Sequence, residues 1–119
     1  MKNKINVAVL GATGYVGMEL VKLLDNHNSV NVNFLGSEST QNRYLKDIQN
    51  TKEYTNLPIL KDNKSFDPSL SDYVFLALPH SISNQFVKNF YGKIKIIDLS
   101  ADFRLDDFNI YKENYGNNH

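Results

Sequence analysis

The chain has 119 residues, with 13 Lys and Arg against 13 Asp and Glu, and so a formal net charge of zero. Such a balance offers no electrostatic footprint for nucleic acid or anionic membranes, and no apolar run approaches the ~20 residues of a membrane span or follows a basic leader. Cysteine is absent, which excludes disulfides, thiolate metal sites and a thiol nucleophile within these residues. With 41% hydrophobic residues, the expectation is one soluble, cytoplasmic domain over residues 1–119, with no metal site and no nucleic-acid or membrane partner.

Ile5-Asn6-Val7-Ala8-Val9-Leu10 is an apolar run of strand length. It feeds Gly11-Ala12-Thr13-Gly14-Tyr15-Val16-Gly17, after which Val16, Leu20, Leu23 and Leu24 share one face at helical spacing. A strand entering a helix through a tight turn leaves the first helical N–H groups without partners, where they can hold an anion. The glycines stand at Gly11, Gly14 and Gly17, a GxxGxxG spacing rather than GxGxxG. They serve either the geometry of the turn alone or the approach of a dinucleotide's diphosphate; the strand before and the helix after favour the second.

Asp25 to Ser29 is a polar break, and Val30, Val32 and Phe34 alternate with Asn31 and Asn33 as in a strand ended by Gly36 to Thr40. Glu38 lies 21 residues beyond Gly17, near the distance at which a second strand's tip meets the adenosine ribose. An acid there pairs with a 2′-hydroxyl, whereas Ser37, Ser39, Thr40 and nearby Arg43 suit a 2′-phosphate, and a solvated polar loop is the third reading. From Gln41 to Ser71 the chain is polar and broken by Pro58 and Pro68. A helical turn is expected over Arg43–Ile48 and a short strand over Leu57–Leu60, confined by proline to an edge or a strand start. No chemistry is legible there.

Tyr73–Leu78 is again continuously apolar, as in a strand covered by helices on both faces. Pro79-His80-Ser81 ends it, Ile82, Phe86, Val87 and Phe90 share a helical face, Gly92 stops that helix, and Lys93–Leu99 is the next strand. This alternation predicts right-handed crossovers and a Rossmann-like, doubly wound parallel α/β sheet with ligands outside the carboxyl ends of its strands. His80 at that edge either caps or touches ligand. Arg104 either clamps a phosphate or carboxylate or pairs with Asp102, Asp106 or Asp107. A short helix is expected over Asp106–Tyr111. With about four strong strands legible, the sheet reads as incomplete at its C-terminal end.

Gly11–Gly17, Ala77-Leu78-Pro79-His80, the block Asp98-Leu99-Ser100-Ala101-Asp102-Phe103-Arg104-Leu105, and Tyr115-Gly116 followed by His119 occur in that order. Together they closely resemble the N-acetyl-gamma-glutamyl-phosphate reductases, arginine-biosynthesis enzymes of the semialdehyde dehydrogenase class. The glycine motif is shared with other Rossmann enzymes, and the last two blocks carry the specificity. The resemblance implies an acyl-phosphate substrate attacked by a cysteine, loss of phosphate, and reduction by NADPH to the semialdehyde, in a homo-oligomer. It places Gly11, Thr13, Gly14, Tyr15 and Val16 at the diphosphate and Ser37 and Ser39 by the adenosine phosphate. Ala77, Pro79 and His80 would line the path to the nicotinamide, and Arg104 would meet the substrate's anionic groups. Where this chain has Glu38, the family often carries arginine or a further serine.

The family's nucleophilic cysteine and acid/base histidine lie beyond residue 119, and His27, His80 and His119 do not match that histidine's motif. No catalytic residue is therefore expected in these residues, and the chain alone is expected not to turn over substrate. Three other readings stand beside this one. They are a related enzyme acting on aspartyl or aminoadipyl phosphate, a non-catalytic nucleotide-binding module, and a chain that does not fold alone because its sheet has an unpaired edge.

Overall fold

A computed structural model describes residues 4–49 and 57–99. β1 (Ile5–Leu10) carries the β-branched Ile5, Val7 and Val9 at alternate positions, and its last four residues are buried. Val7 and Val9 enter one core and Ala8 and Leu10 the other, as the period of two requires of a central strand covered on both faces. In chain order follow α1 (Tyr15–Asp25), β2 (Val30–Ser37), α2 (Leu45–Gln49), β3 (Leu60–Asp62), β4 (Tyr73–Leu76), α3 (His80–Phe90) and β5 (Lys95–Asp98). The five strands lie in the order β3-β2-β1-β4-β5, and every neighbouring pair is parallel.

From β1 the chain works outward through β2 to the edge strand β3, then returns to lay β4 on the other flank of β1. That reversal makes the predicted doubly wound sheet and puts its switch point between β1 and β4. Val32, Leu35 and Leu60 pack with Val21 of α1 and Leu45 of α2 on one face. Val74 and Leu76 pack with Phe90 of α3 on the other. Among the described residues no helix is long and apolar enough to cross a membrane.

The strand after α3 forms as predicted, and β3 begins at Leu60, the last residue of the expected Leu57–Leu60 strand, so the fifth strand of the sheet is the short one, displaced toward the C-terminus. The expected helix at Asp106–Tyr111 lies outside the described residues. The predicted buried face of α1 holds in part: Leu20 and Leu24 pack against the core, but Val16 is 50% and Leu23 72% exposed, and the fully buried positions are Gly17 and Val21. The reason is steric. A Cβ on Gly17 would collide with the carbonyl of Gly11, so position 17 is where the helix touches the turn, and Val21, one turn on, follows it into the core.

β2 also departs from simple alternation. Val7 pairs with Val32 but Ala8 with Phe34, which leaves Asn33 as the extra residue of a bulge. Asn33 is held there by its side chain, which donates to the carbonyl of Leu70 at 2.8 Å and accepts from the Ser71 hydroxyl at 2.7 Å. The slip exchanges the two faces for the rest of the strand. Phe34 therefore joins the α3 side, and Leu35 the α1 side.

Two single 3₁₀ turns, Asn63–Ser65 and Pro68–Leu70, link β3 to β4, each capped by an aspartate before it. Between them Phe66 sits 5.0 Å from the ring of Phe34 and 5.4 Å, edge-on, from that of Phe90, and so fastens the link to the core. Phe66→Ala is expected to lower the free energy of unfolding by about 3 kcal/mol, measured by urea denaturation followed by circular dichroism.

Candidate functional site

At the switch point β1 ends in Leu10 and the chain turns through Gly11, whose φ of 82° suits glycine alone. The turn is gripped from both sides. The N–H of Gly11 is shared between the carbonyl of Gly36, at 3.0 Å, and Oδ1 of Asn63, at 3.1 Å, and the N–H of Ala12 donates to the same Gly36 carbonyl at 2.8 Å. On the other flank Ala77 N–H donates to the Leu10 carbonyl at 2.9 Å, and a Cβ on Gly11 would strike the carbonyl of Ala77 and the side chain of Leu78.

Gly14 is the N-cap of α1, with no side-chain cap and no acidic residue in the first turn. The N–H groups of Tyr15, Val16 and Gly17 thus have no intrahelical acceptor, and the helix dipole leaves partial positive charge there. Tyr15 is 82% exposed, as is half of Val16, so what these residues offer an anion is backbone. A Cβ on Gly14 would approach nothing closer than the Gly11 carbonyl at 3.6 Å, an ordinary contact. Gly11 and Gly17 are bare because the chain leaves no room, whereas Gly14 has room for a Cβ. A helix N-terminus with such unpaired N–H groups suits an anion.

On the β2 side, Ser37 is fully buried. Its hydroxyl shares a 2.9 Å hydrogen bond with that of Thr13 and accepts the N–H of Thr40 at 3.1 Å. It can face Thr13 because the bulge at Asn33 has reversed the strand's sidedness. Glu38 and Ser39 stand exposed at the strand's tip, and Gln41 donates to the carbonyls of Ser37 and Glu38. On the β4 side, Pro79 is the N-cap of α3 and His80, exposed, its first residue.

Gly11, Thr13, Gly14, Tyr15, Val16, Ser37, Ser39, Ala77, Pro79 and His80 therefore all lie along one edge, outside the carboxyl ends of β1, β2 and β4. Arg104 lies outside the described residues. Two contributors were missed in the sequence. Asn63 fell in a stretch that carries no periodic signal. Ser83, fully buried in α3, donates to Oδ1 of Asp98 at 2.7 Å and ties that helix to the end of β5; its position between Ile82 and Phe86 on the apolar face was the available clue.

Residues 6–116 match the family model described as semialdehyde dehydrogenase, NAD binding domain. The chain belongs to that family. This NAD-binding domain is 42% identical to the N-acetyl-gamma-glutamyl-phosphate reductase of Ehrlichia ruminantium over 118 residues, 98% of the chain and 34% of the relative. It is 45% identical to that of Campylobacter jejuni over 105 residues, 86% of the chain and 29% of the relative. The domain thus spans about a third of the length of the curated relatives it matches. Among solved structures, aspartate semialdehyde dehydrogenase with NADP from Candida albicans superposes with a TM-score of 0.67 at 25% identity, over 87% of this chain and 32% of that one. The fold and the resemblance read from the sequence both stand.

The division among the glycines is testable. Gly14→Val is expected to abolish dinucleotide binding in calorimetric titration at a stability cost of no more than about 1 kcal/mol, whereas Gly17→Ala, forced against the Gly11 carbonyl, is expected to cost more than that in thermal unfolding.

Proposed function

We propose that this domain is the NADPH-binding part of an enzyme that reduces N-acetyl-glutamyl 5-phosphate to its semialdehyde with release of phosphate, a step of arginine biosynthesis. The observation that carries this reading is the uncapped N-terminus of α1 beneath Gly14, set between the tips of β2 and β4 in a chain whose relatives bear that reductase name. The residues present fit a nicotinamide dinucleotide: the backbone from Thr13 to Gly17 meets the diphosphate, the β2 tip the adenosine ribose, and Ala77, Pro79 and His80 the nicotinamide end. Such a cofactor supplies hydride when bound.

The chain's own part is to hold and orient. Backbone N–H groups neutralise the diphosphate without bringing in a mobile side chain. Ala77, Pro79 and His80 would line the nicotinamide end and help orient it, and Arg104 would meet the substrate's anionic groups. No cysteine occurs in these 119 residues, so the thiol of the proposed chemistry belongs to polypeptide outside them, working in a homo-oligomer of the cytoplasm. A related acyl phosphate, aspartyl or aminoadipyl, is separated by assaying the full-length enzyme on each.

For the 2′-phosphate, Ser39 and Thr40 offer hydroxyls at the strand's tip, while Ser37 spends its own on Thr13 and Thr40 and so shapes the loop. Glu38 beside them favours a free 2′-hydroxyl. The preference is decided by titration. NADPH is expected to bind about tenfold more tightly than NADH; equal affinities, or an NADH preference abolished by Glu38→Ala, would refute the NADP assignment.

A further inference from the structure

We infer that Asn63, which belongs to no part of the glycine motif, is a positioning residue for dinucleotide binding; the inference rests on the cofactor reading above. Asn63 opens the 3₁₀ turn after β3 and is 5% exposed. β3 pairs with β2 so that Gly36 faces Lys61 and Ser37 faces Asp62, which carries the next residue, Asn63, to the carboxyl end of β2. Its side chain then crosses over Gly36 to reach the N–H of Gly11, 52 positions away in sequence.

The crossing is possible only because Gly36 has no side chain. A Cβ there would collide with Oδ1 of Asn63 and come within 3.0 Å of the Leu10 side chain. The base of the crossing is rigid. Asp62 accepts the N–H of Lys64 at 3.0 Å and its carbonyl accepts the Ser65 hydroxyl at 2.7 Å. Phe66, whose N–H donates to the Asn63 carbonyl at 3.3 Å, is anchored between Phe34 and Phe90. The ends of β1, β2 and the turn after β3 thus meet at one N–H, that of Gly11, shared by the Gly36 carbonyl and Asn63 Oδ1.

The function of that oxygen follows from what it holds. The Gly11 N–H lies at the base of the turn, and Gly14 N–H closes back on the Gly11 carbonyl at 3.2 Å. A displaced Gly11 peptide therefore moves the cradle itself. Asn63 fixes the direction of the turn without touching the reacting atoms, and its loss shows in cofactor affinity before it shows in the fold.

The test uses the full-length chain with three variants. Asn63→Leu removes the acceptor while keeping the branched outline of the side chain, Asn63→Asp keeps an acceptor oxygen at the same reach, and Gly36→Ala blocks the crossing. Amide hydrogen exchange without nucleotide is expected to quicken at Gly11 and Ala12 in Asn63→Leu and Gly36→Ala, to stay at the parental rate in Asn63→Asp, and to stay unchanged at Val74 and Leu76 in all three. Calorimetry is expected to show NADPH bound about tenfold more weakly by Asn63→Leu and by Gly36→Ala, the loss expected of one hydrogen bond from the Asn63 side chain to the binding turn. Parental exchange at Gly11 in Asn63→Leu, or parental NADPH affinity in that variant, would overturn the inference. A parent chain that binds no NADPH at all would instead overturn the cofactor reading on which it rests.

Discussion

The turn at Gly11 is where the molecule has least freedom. Its carbonyl leaves no space for a Cβ on Gly17, its own missing Cβ would fall on Ala77 and Leu78, and its N–H is held by Gly36 and Asn63 together. One residue thereby touches α1, the end of β4, the end of β2 and the turn after β3. Because these contacts converge, the geometry at the switch point is set by packing, and the helix N-terminus arrives at one angle over the edge of the sheet. Preorganised backbone donors of this kind need no reorganisation when an anion arrives.

The same constraint explains why the three motif glycines are not equivalent. Two are required by the protein's own packing and the third is not. A motif read as a string of letters conflates the two cases, and the room for a side chain at each position separates them. Ser37 is a parallel case: its hydroxyl, assigned by resemblance to the adenosine phosphate, is consumed in ordering Thr13 and Thr40, while Ser39 and Glu38 stand exposed at the strand's tip. The burial of the one and exposure of the others give Ser37 and its neighbours different parts in the same loop.

Much of the fold was legible because its central strands are apolar on both faces and its long helices carry clear stops, Gly92 among them with φ of 81°. What escaped depended on contacts distant in sequence. The bulge at Asn33 is fixed by partners near residue 70, so the alternation of Val30, Val32 and Phe34 pointed to the wrong face for Phe34. The buried face of α1 is chosen by a clash with the turn, which outweighs the more hydrophobic ridge of Val16 and Leu23. Asn63 lies in a polar stretch like many surface loops, and only strand pairing carries it to the glycine turn. Of the site residues drawn from the motif and from the family resemblance, those that are described, all but Arg104, fell on one edge, because in a parallel sheet every strand delivers its carboxyl end to the same side.

The central claim is that backbone N–H groups at the start of α1 hold the diphosphate of a nicotinamide dinucleotide. Its most direct test is an amide-resolved NMR titration of the full-length chain with NADPH. Saturable shifts that are largest at Gly14, Tyr15, Val16 and Gly17, with smaller ones at Ser39 and Ala77, are the predicted result. Amides of that turn unmoved at saturating NADPH, or shifts centred elsewhere on the sheet, would contradict it.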